Sequence, residues 1–235
     1  MFEALLFDLD GTLLNIDMDY FLPRYFSSMQ AMAYSMGYKE AERLVQKIWF
    51  STEKMIANTD AEKTNEEVFY EEFFQDWPYP AEEFLSFFDT FYEEEFPRLS
   101  KYCQPFPGVP QMMENLFGRD LKIVIATNSV FPLTAIEKRL EWAGVGHFDY
   151  DLITAYENMH YCKPQPAYYE EICDQIGVKP HNCLMVGNDT GEDLIAGQVG
   201  LKTFLVKNML IDKGAPLKPD WQGELEHLFK FLKKI

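Results

Sequence analysis

The sequence predicts an α/β protein: a parallel sheet with helices on both faces, interrupted near its start by a helical insertion. Three observations predict it. From residue 101 onward, short apolar runs alternate with helical patterns. A similar run at residues 4–7 heads the chain. Between them, residues 15–100 show helical periodicity and no convincing strand.

The first strand is expected over residues 3–9, where Ala4-Leu5-Leu6-Phe7 reads as buried. The insertion carries four amphipathic patterns. Leu22, Tyr25, Phe26, Met29, Met32 and Met36 make the first, which Gly37 ends. Leu44, Ile48, Met55 and Ile56 mark the second. Thr64 with Glu67 has the spacing of a capping box and opens the third, through Trp77. The fourth follows Pro80, with Phe84, Phe87, Phe88 and Phe91 on one face. This segment holds 18 acidic and 7 basic residues, so most of its acids must form a solvated outer face.

Strands are then expected at 121–126, 152–155, 183–186 and 203–206. Helices are expected at 109–117, 133–143, 168–176, 194–199 and 225–232. Alternation of this kind argues a parallel sheet covered on both faces. Residues 1–14 and 101–235 thus form one unit and 15–100 a second.

At 235 residues the chain can bury a sizeable core. Its formal net charge of −17 argues against nucleic acid or anionic membrane as a partner, and means an anionic substrate must be held by local positive charge or a metal. Cys103, Cys162, Cys173 and Cys183 lack CxxC spacing, which favours reduced thiols in the cytoplasm over zinc or a redox centre. No apolar stretch approaches the ~18 residues of a membrane span, and no signal peptide is apparent. The histidines at 147, 160, 181 and 227 show no metal spacing.

In open parallel sheets, ligands bind beyond the carboxyl ends of the strands. Four strand ends here carry polar clusters. Asp8 and Asp10 follow the first; their spacing points both side chains the same way, and Gly11 permits a sharp turn after them. Two acids so placed call for a cation between them. Thr127 and Asn128 follow the second strand. Lys163 lies in Tyr161-Cys162-Lys163-Pro164-Gln165-Pro166 beyond the third. The fourth leads into Gly187-Asn188-Asp189-Thr190-Gly191-Glu192-Asp193. Hydroxyl, ammonium, carboxylates and a metal would together make a phosphate site.

These four clusters, in order and over the whole chain, resemble the motifs of the haloacid dehalogenase (HAD) superfamily. The insertion resembles the helical cap that one branch carries between its first and second motifs. The resemblance implies a Rossmann-like core with an inserted four-helix cap domain, and a HAD-like phosphoric monoester hydrolase using Mg²⁺. It makes Asp8 the nucleophile that forms an aspartyl-phosphate and Asp10 the general acid/base. Thr127, Asn128 and Lys163 would bind the substrate phosphate, with Thr127 and Lys163 also counted among the catalytic residues. Asp8, through its side chain, and Asp10, through its backbone carbonyl, would be metal ligands.

In the common family pattern an Asp directly follows the motif's glycine. Here Asn188 stands there and Asp189 is next. Asp189 is therefore expected to be the main acidic metal ligand of this loop, with Asn188 a further candidate. Asp193 would orient metal waters or nearby backbone. Asp10 argues against a dehalogenase, because halide leaves without protonation. The expected function is a Mg²⁺-dependent phosphatase acting on a small phosphorylated metabolite. A sugar phosphomutase on the same core and a non-catalytic binding protein for such a metabolite remain open alternatives. The substrate and the oligomeric state are not legible.

Overall fold

The computed structural model describes residues 2–214 and 216–235. In chain order, β1 (Ala4–Phe7) runs into a two-residue strand β2 (Leu14–Asn15). Four helices follow: α1 (Met18–Ser35), α2 (Ala41–Ala57), α3 (Asn65–Phe74) and α4 (Ala81–Thr90). The chain continues from α4 through a π turn and a 3-10 segment to β3 (Gln104–Pro105), which pairs antiparallel with β2. This small ribbon clasps the two ends of the insertion together.

The remainder alternates as expected: α5 (Val109–Phe117), β4 (Lys122–Ile125), α6 (Leu133–Trp142), β5 (Leu152–Ile153), α7 (Pro166–Ile176), β6 (Cys183–Gly187), β7 (Lys202–Val206), β8 (Trp221–Gly223) and α8 (Leu225–Leu232). Six strands form one parallel sheet in the order β5-β4-β1-β6-β7-β8. β1 lies near the middle because it is buried on both faces and flanked by two other apolar strands. Strand alternation divides the core. Leu5 and Phe7 pack on one face with α5, α6 and α8, while Ala4 and Leu6 pack on the other with α7.

The sequence reading missed three strands. β2 and β3 have two residues each, too few for a period-2 signal. β8 is a largely exposed edge with a glycine, so no apolar run marks it. The helix expected at 194–199 forms as a 3-10 segment over Asp193–Val199.

The four insertion helices lie where their patterns put them. Thr64 and Glu67 make the reciprocal capping box at the start of α3. The aromatic side chains fill the interior of the insert. Phe84 is fully buried and packs against Tyr38, Phe73, Trp77, Phe87 and Phe88. This packing continues into the sheet domain, where Phe96 stacks on Trp142 of α6 at a centroid distance of 5.1 Å. The interior of the insert and one face of the sheet form a single apolar cluster. Truncating Phe84→Ala removes the ring at the centre of this packing. It is expected to destabilise the whole chain by about 3–5 kcal/mol, read by urea denaturation.

Candidate active site

The backbone N–H of Asp8 still donates to Val186 of β6 at 2.9 Å, so the main chain remains in the sheet as the side chain leaves it. The turn that follows is tight: the Leu9 carbonyl accepts N–H groups from Thr12, Leu13 and Leu14. Gly11 sits at φ +81°, and a Cβ there would lie 2.2 Å from the Asn188 amide nitrogen. Both conformation and space require glycine.

The loops after β1, β5 and β6 meet at Lys163. Its ammonium donates to Asp8 Oδ1 at 3.0 Å and to Asp193 Oδ1 at 2.6 Å, and all three side chains are buried. Burial disfavours the ammonium, but Asp193 and Asp8 outweigh it and hold Lys163 well above its ordinary pKa. Burial pushes the Asp8 carboxyl up to about 8, because the one cation beside it is shared with a second, closer carboxylate.

Thr127 is buried after β4. Its carbonyl accepts hydroxyl protons from Tyr168 at 2.6 Å and Thr154 at 2.8 Å, which fixes the backbone that carries it. The Asn128 amide brackets the Lys163 main chain, accepting its N–H at 3.1 Å and donating to its carbonyl at 3.3 Å. Asn128 thus positions Lys163, a contact its sequence motif did not suggest.

Asp10 has a partner that the sequence reading missed. Arg139 of α6, 1% exposed, donates through Nη1 to Asp10 Oδ2. Asp10 Oδ1 and Arg139 Nη2 are both buried without a hydrogen-bond partner. Burial raises the Asp10 pKa, and Arg139 opposes that rise without cancelling it. A signal for Arg139 was available. It lies on the stripe formed by Ala135, Ile136, Leu140 and Ala143, where an arginine is out of place unless it is paired inside. By contrast, the cations of the insertion stay away from the site. Arg24 lies over the Tyr20 ring, and Lys47 faces Glu72.

Asp189 Oδ1 accepts N–H groups from Gly191 and Glu192, while Oδ2 faces Lys213 Nζ at 2.8 Å. Asp193 Oδ2 accepts the Asp189 N–H at 2.9 Å, so Asp193 orients nearby backbone as well as Lys163. The Asn188 amide oxygen accepts from Thr12 and its nitrogen donates to the Met209 carbonyl. That amide ties two loops together.

Among the described residues no three acidic, histidine or cysteine side chains converge as a metal cluster. Asp8, Asp10 and Asp189 therefore do not offer three clustered carboxylates. The donor set still fits a hard cation of few protein ligands. Asp8 and Asp189 supply carboxylates on neighbouring strand ends, and Mg²⁺ ordinarily takes one or two such groups with water and phosphate. The ammonium already drawn to Asp189 shows where positive charge is favoured.

Asp8, Asp10, Thr127, Asn128 and Asp189 line one cavity of about 670 Å³, walled on its far side by insertion helices. A haloacid dehalogenase-like hydrolase profile matches residues 2–200. The chain belongs to this family. Among curated relatives, the pyrophosphatase PpaX of Halalkalibacterium halodurans is 31% identical over 107 residues, 45% of this chain and 48% of that one. The glyceraldehyde 3-phosphate phosphatase of Methanothermobacter thermautotrophicus is 26% identical over 110 residues, 46% of this chain and 47% of that one. The chain thus spans about half the length of these relatives in the match. The magnesium-bound HAD-hydrolase YfnB of Bacillus subtilis superposes with a TM-score of 0.57 at 20% identity, covering 98% of each chain, and shares the fold. Among the described residues of this HAD-like hydrolase, no helix is long and apolar enough to cross a membrane, and all four cysteines are free.

The raised Asp8 carboxyl has a consequence for stability. Its folded pKa lies above the unfolded value of 3.8, so the protonated form favours folding and stability falls as pH rises from about 4 to about 8. Asp8→Asn removes this penalty. In EDTA, the variant should melt with the wild type near pH 4 and above it at pH 8, as followed by circular dichroism.

Proposed function

We propose that this HAD-like hydrolase is a Mg²⁺-dependent phosphatase acting on a small phosphorylated metabolite through an aspartyl-phosphate at Asp8. One observation carries the reading: two carboxylates face one cavity, and each meets a different buried cation, Lys163 (shared with Asp193) for Asp8 and Arg139 for Asp10. Separate partners allow separate tasks.

A carboxylate oxygen of Asp8 attacks phosphorus, and the bond from phosphorus to the ester oxygen breaks. Asp10 in its protonated form gives its proton to the departing alcohol, a state that its burial favours. The ionised Asp10 then takes a proton from water as that water attacks phosphorus, releasing phosphate and restoring Asp8. Arg139 aims Asp10 through both steps. Lys163 moderates the charge of Asp8 and of the incoming phosphoryl oxygens, with the Thr127 hydroxyl as a second donor. Asp193 keeps the Lys163 ammonium charged and directed at Asp8. Held by Asp8, Asp189 and the Asp10 carbonyl, Mg²⁺ would supply positive charge to the phosphoryl group and help keep Asp8 ionised. The charge count supports a cation: among the described residues, Asp8, Asp10, Asp189, Glu192 and Asp193 pair with three cations, Lys163, Arg139 and Lys213.

Phosphate release from a panel of phosphorylated metabolites tests the proposal. Release should require Mg²⁺, stop in EDTA and resume when Mg²⁺ is restored. Asp8→Asn should lower kcat at least about a thousandfold, as loss of a nucleophile does. Asp10→Asn should cost about 10²–10⁴-fold, the range of general acid–base catalysis. Undiminished release by Asp8→Asn would sink the mechanism. Isomer formation without phosphate release would point to a phosphomutase.

A further inference from the structure

The cavity has two unlike ends. The phosphate end is lined by Asp8, Asp10, Asp189 and Thr127, with Lys163 buried against Asp8. The far end is made by Ile48, Trp49 and Ile56 of α2, Phe69 of α3 and Phe88 of α4. At about 670 Å³ the space is far larger than a phosphate group requires, so most of what it takes in must lie against these apolar side chains.

Charge narrows the choice. Two cations line the cavity among the described residues, Arg139 and Lys213, and both are paired with carboxylates. Asp17 and Asp19 add negative charge at its wall. The Asp17 carboxylate caps α1 by accepting the N–H groups of Asp19 and Tyr20. A ligand with a second anionic group beyond its phosphate would meet acids there and no uncommitted cation.

The polar points in the far half are four phenols and the Thr52 hydroxyl, all neutral groups. Tyr25 and Tyr92 share a hydrogen bond of 2.8 Å, and Tyr70 and Tyr156 one of 3.0 Å. Burial raises all four above their ordinary pKa, so they stay neutral. Each pair uses one O–H proton internally and leaves the other to donate. Such groups accommodate a neutral polar atom, but they do not neutralise a charge.

We infer that the substrate is a phosphate monoester whose organic part is neutral, apolar and large enough to reach the aromatic wall. The proposal rests on the phosphatase reading above and adds to it the chemical class of the leaving alcohol. It differs from what the name of the pyrophosphatase PpaX implies for that protein, since pyrophosphate carries a second anionic group.

The test is a straight-chain alkyl phosphate series from ethyl to hexyl, assayed with Mg²⁺ beside pyrophosphate and phosphoglycolate. The alkyl esters have leaving groups of nearly constant basicity, so differences report the cavity. kcat/KM should rise about two- to fourfold per methylene, following the burial of apolar surface. Hexyl phosphate should exceed pyrophosphate and phosphoglycolate by at least about tenfold, reflecting the unpaired second charge. Trp49→Ala should flatten the series. A flat series, or either comparator with a second anionic group matching hexyl phosphate, would overturn the inference. Hexylphosphonate and methylphosphonate, which cannot be hydrolysed at oxygen, separate the two readings by thermal shift. If hexylphosphonate raises Tm more than methylphosphonate while no ester is hydrolysed, the phosphatase reading fails and the ligand class stands. If neither compound binds and no ester turns over, both fall.

Discussion

The site depends on one buried ammonium shared by two carboxylates. Lys163 can satisfy Asp8 and Asp193 only because the loops after β1, β5 and β6 deliver all three to one point. A buried ion pair is a weak source of net stability, and a triad with excess negative charge is weaker still. Such an arrangement keeps Asp8 accessible to a change of charge state. Much of its surroundings serve to hold the lysine still. Asn128 clamps its main chain, Tyr168 and Thr154 anchor the neighbouring Thr127, and Asp193 links it to the Asp189 backbone. Gly187 belongs to the same requirement, since a Cβ there would lie 2.1 Å from an Asp193 oxygen.

Much of the architecture was legible because its signals are repetitive. The order of apolar runs and helices specified the sheet, and the capping box at Thr64 specified where α3 begins. Asp8, Thr127, Lys163 and Asp189 could be located as strand-end residues without knowing any contact. What escaped was long-range. Arg139 is 129 residues from Asp10 in sequence, and no local pattern names its partner. Lys213 sits in an irregular segment and meets Asp189 only through the path of the loop. The two amide partners of Asn188, Thr12 and Met209, likewise come from other segments.

The insertion contributes shape more than charge. Most of its acids face outward, apart from Asp17 and Asp19 at the cavity wall, while its aromatic side chains serve both its own interior and that wall. Asn65, at the start of α3, donates to Ser129 and to the Tyr161 carbonyl, both beside loops that carry site residues. Its backbone N–H reaches the Met159 carbonyl at 2.8 Å. The wall that meets the organic part of a ligand is thereby joined to the loops that hold its phosphate.

The single apolar cluster running from the insert into one face of the sheet has a meaning for how the chain folds. An inserted segment with its own sealed interior could be cut out and remain folded. Here Phe96 stacks on Trp142 across the seam, and one apolar cluster takes in buried side chains from both sides. Heat or denaturant should therefore disrupt insert and sheet in one cooperative transition. The division of labour between recognition and chemistry is thus drawn inside a single folding unit, and a core substitution on either side of that line is felt on both.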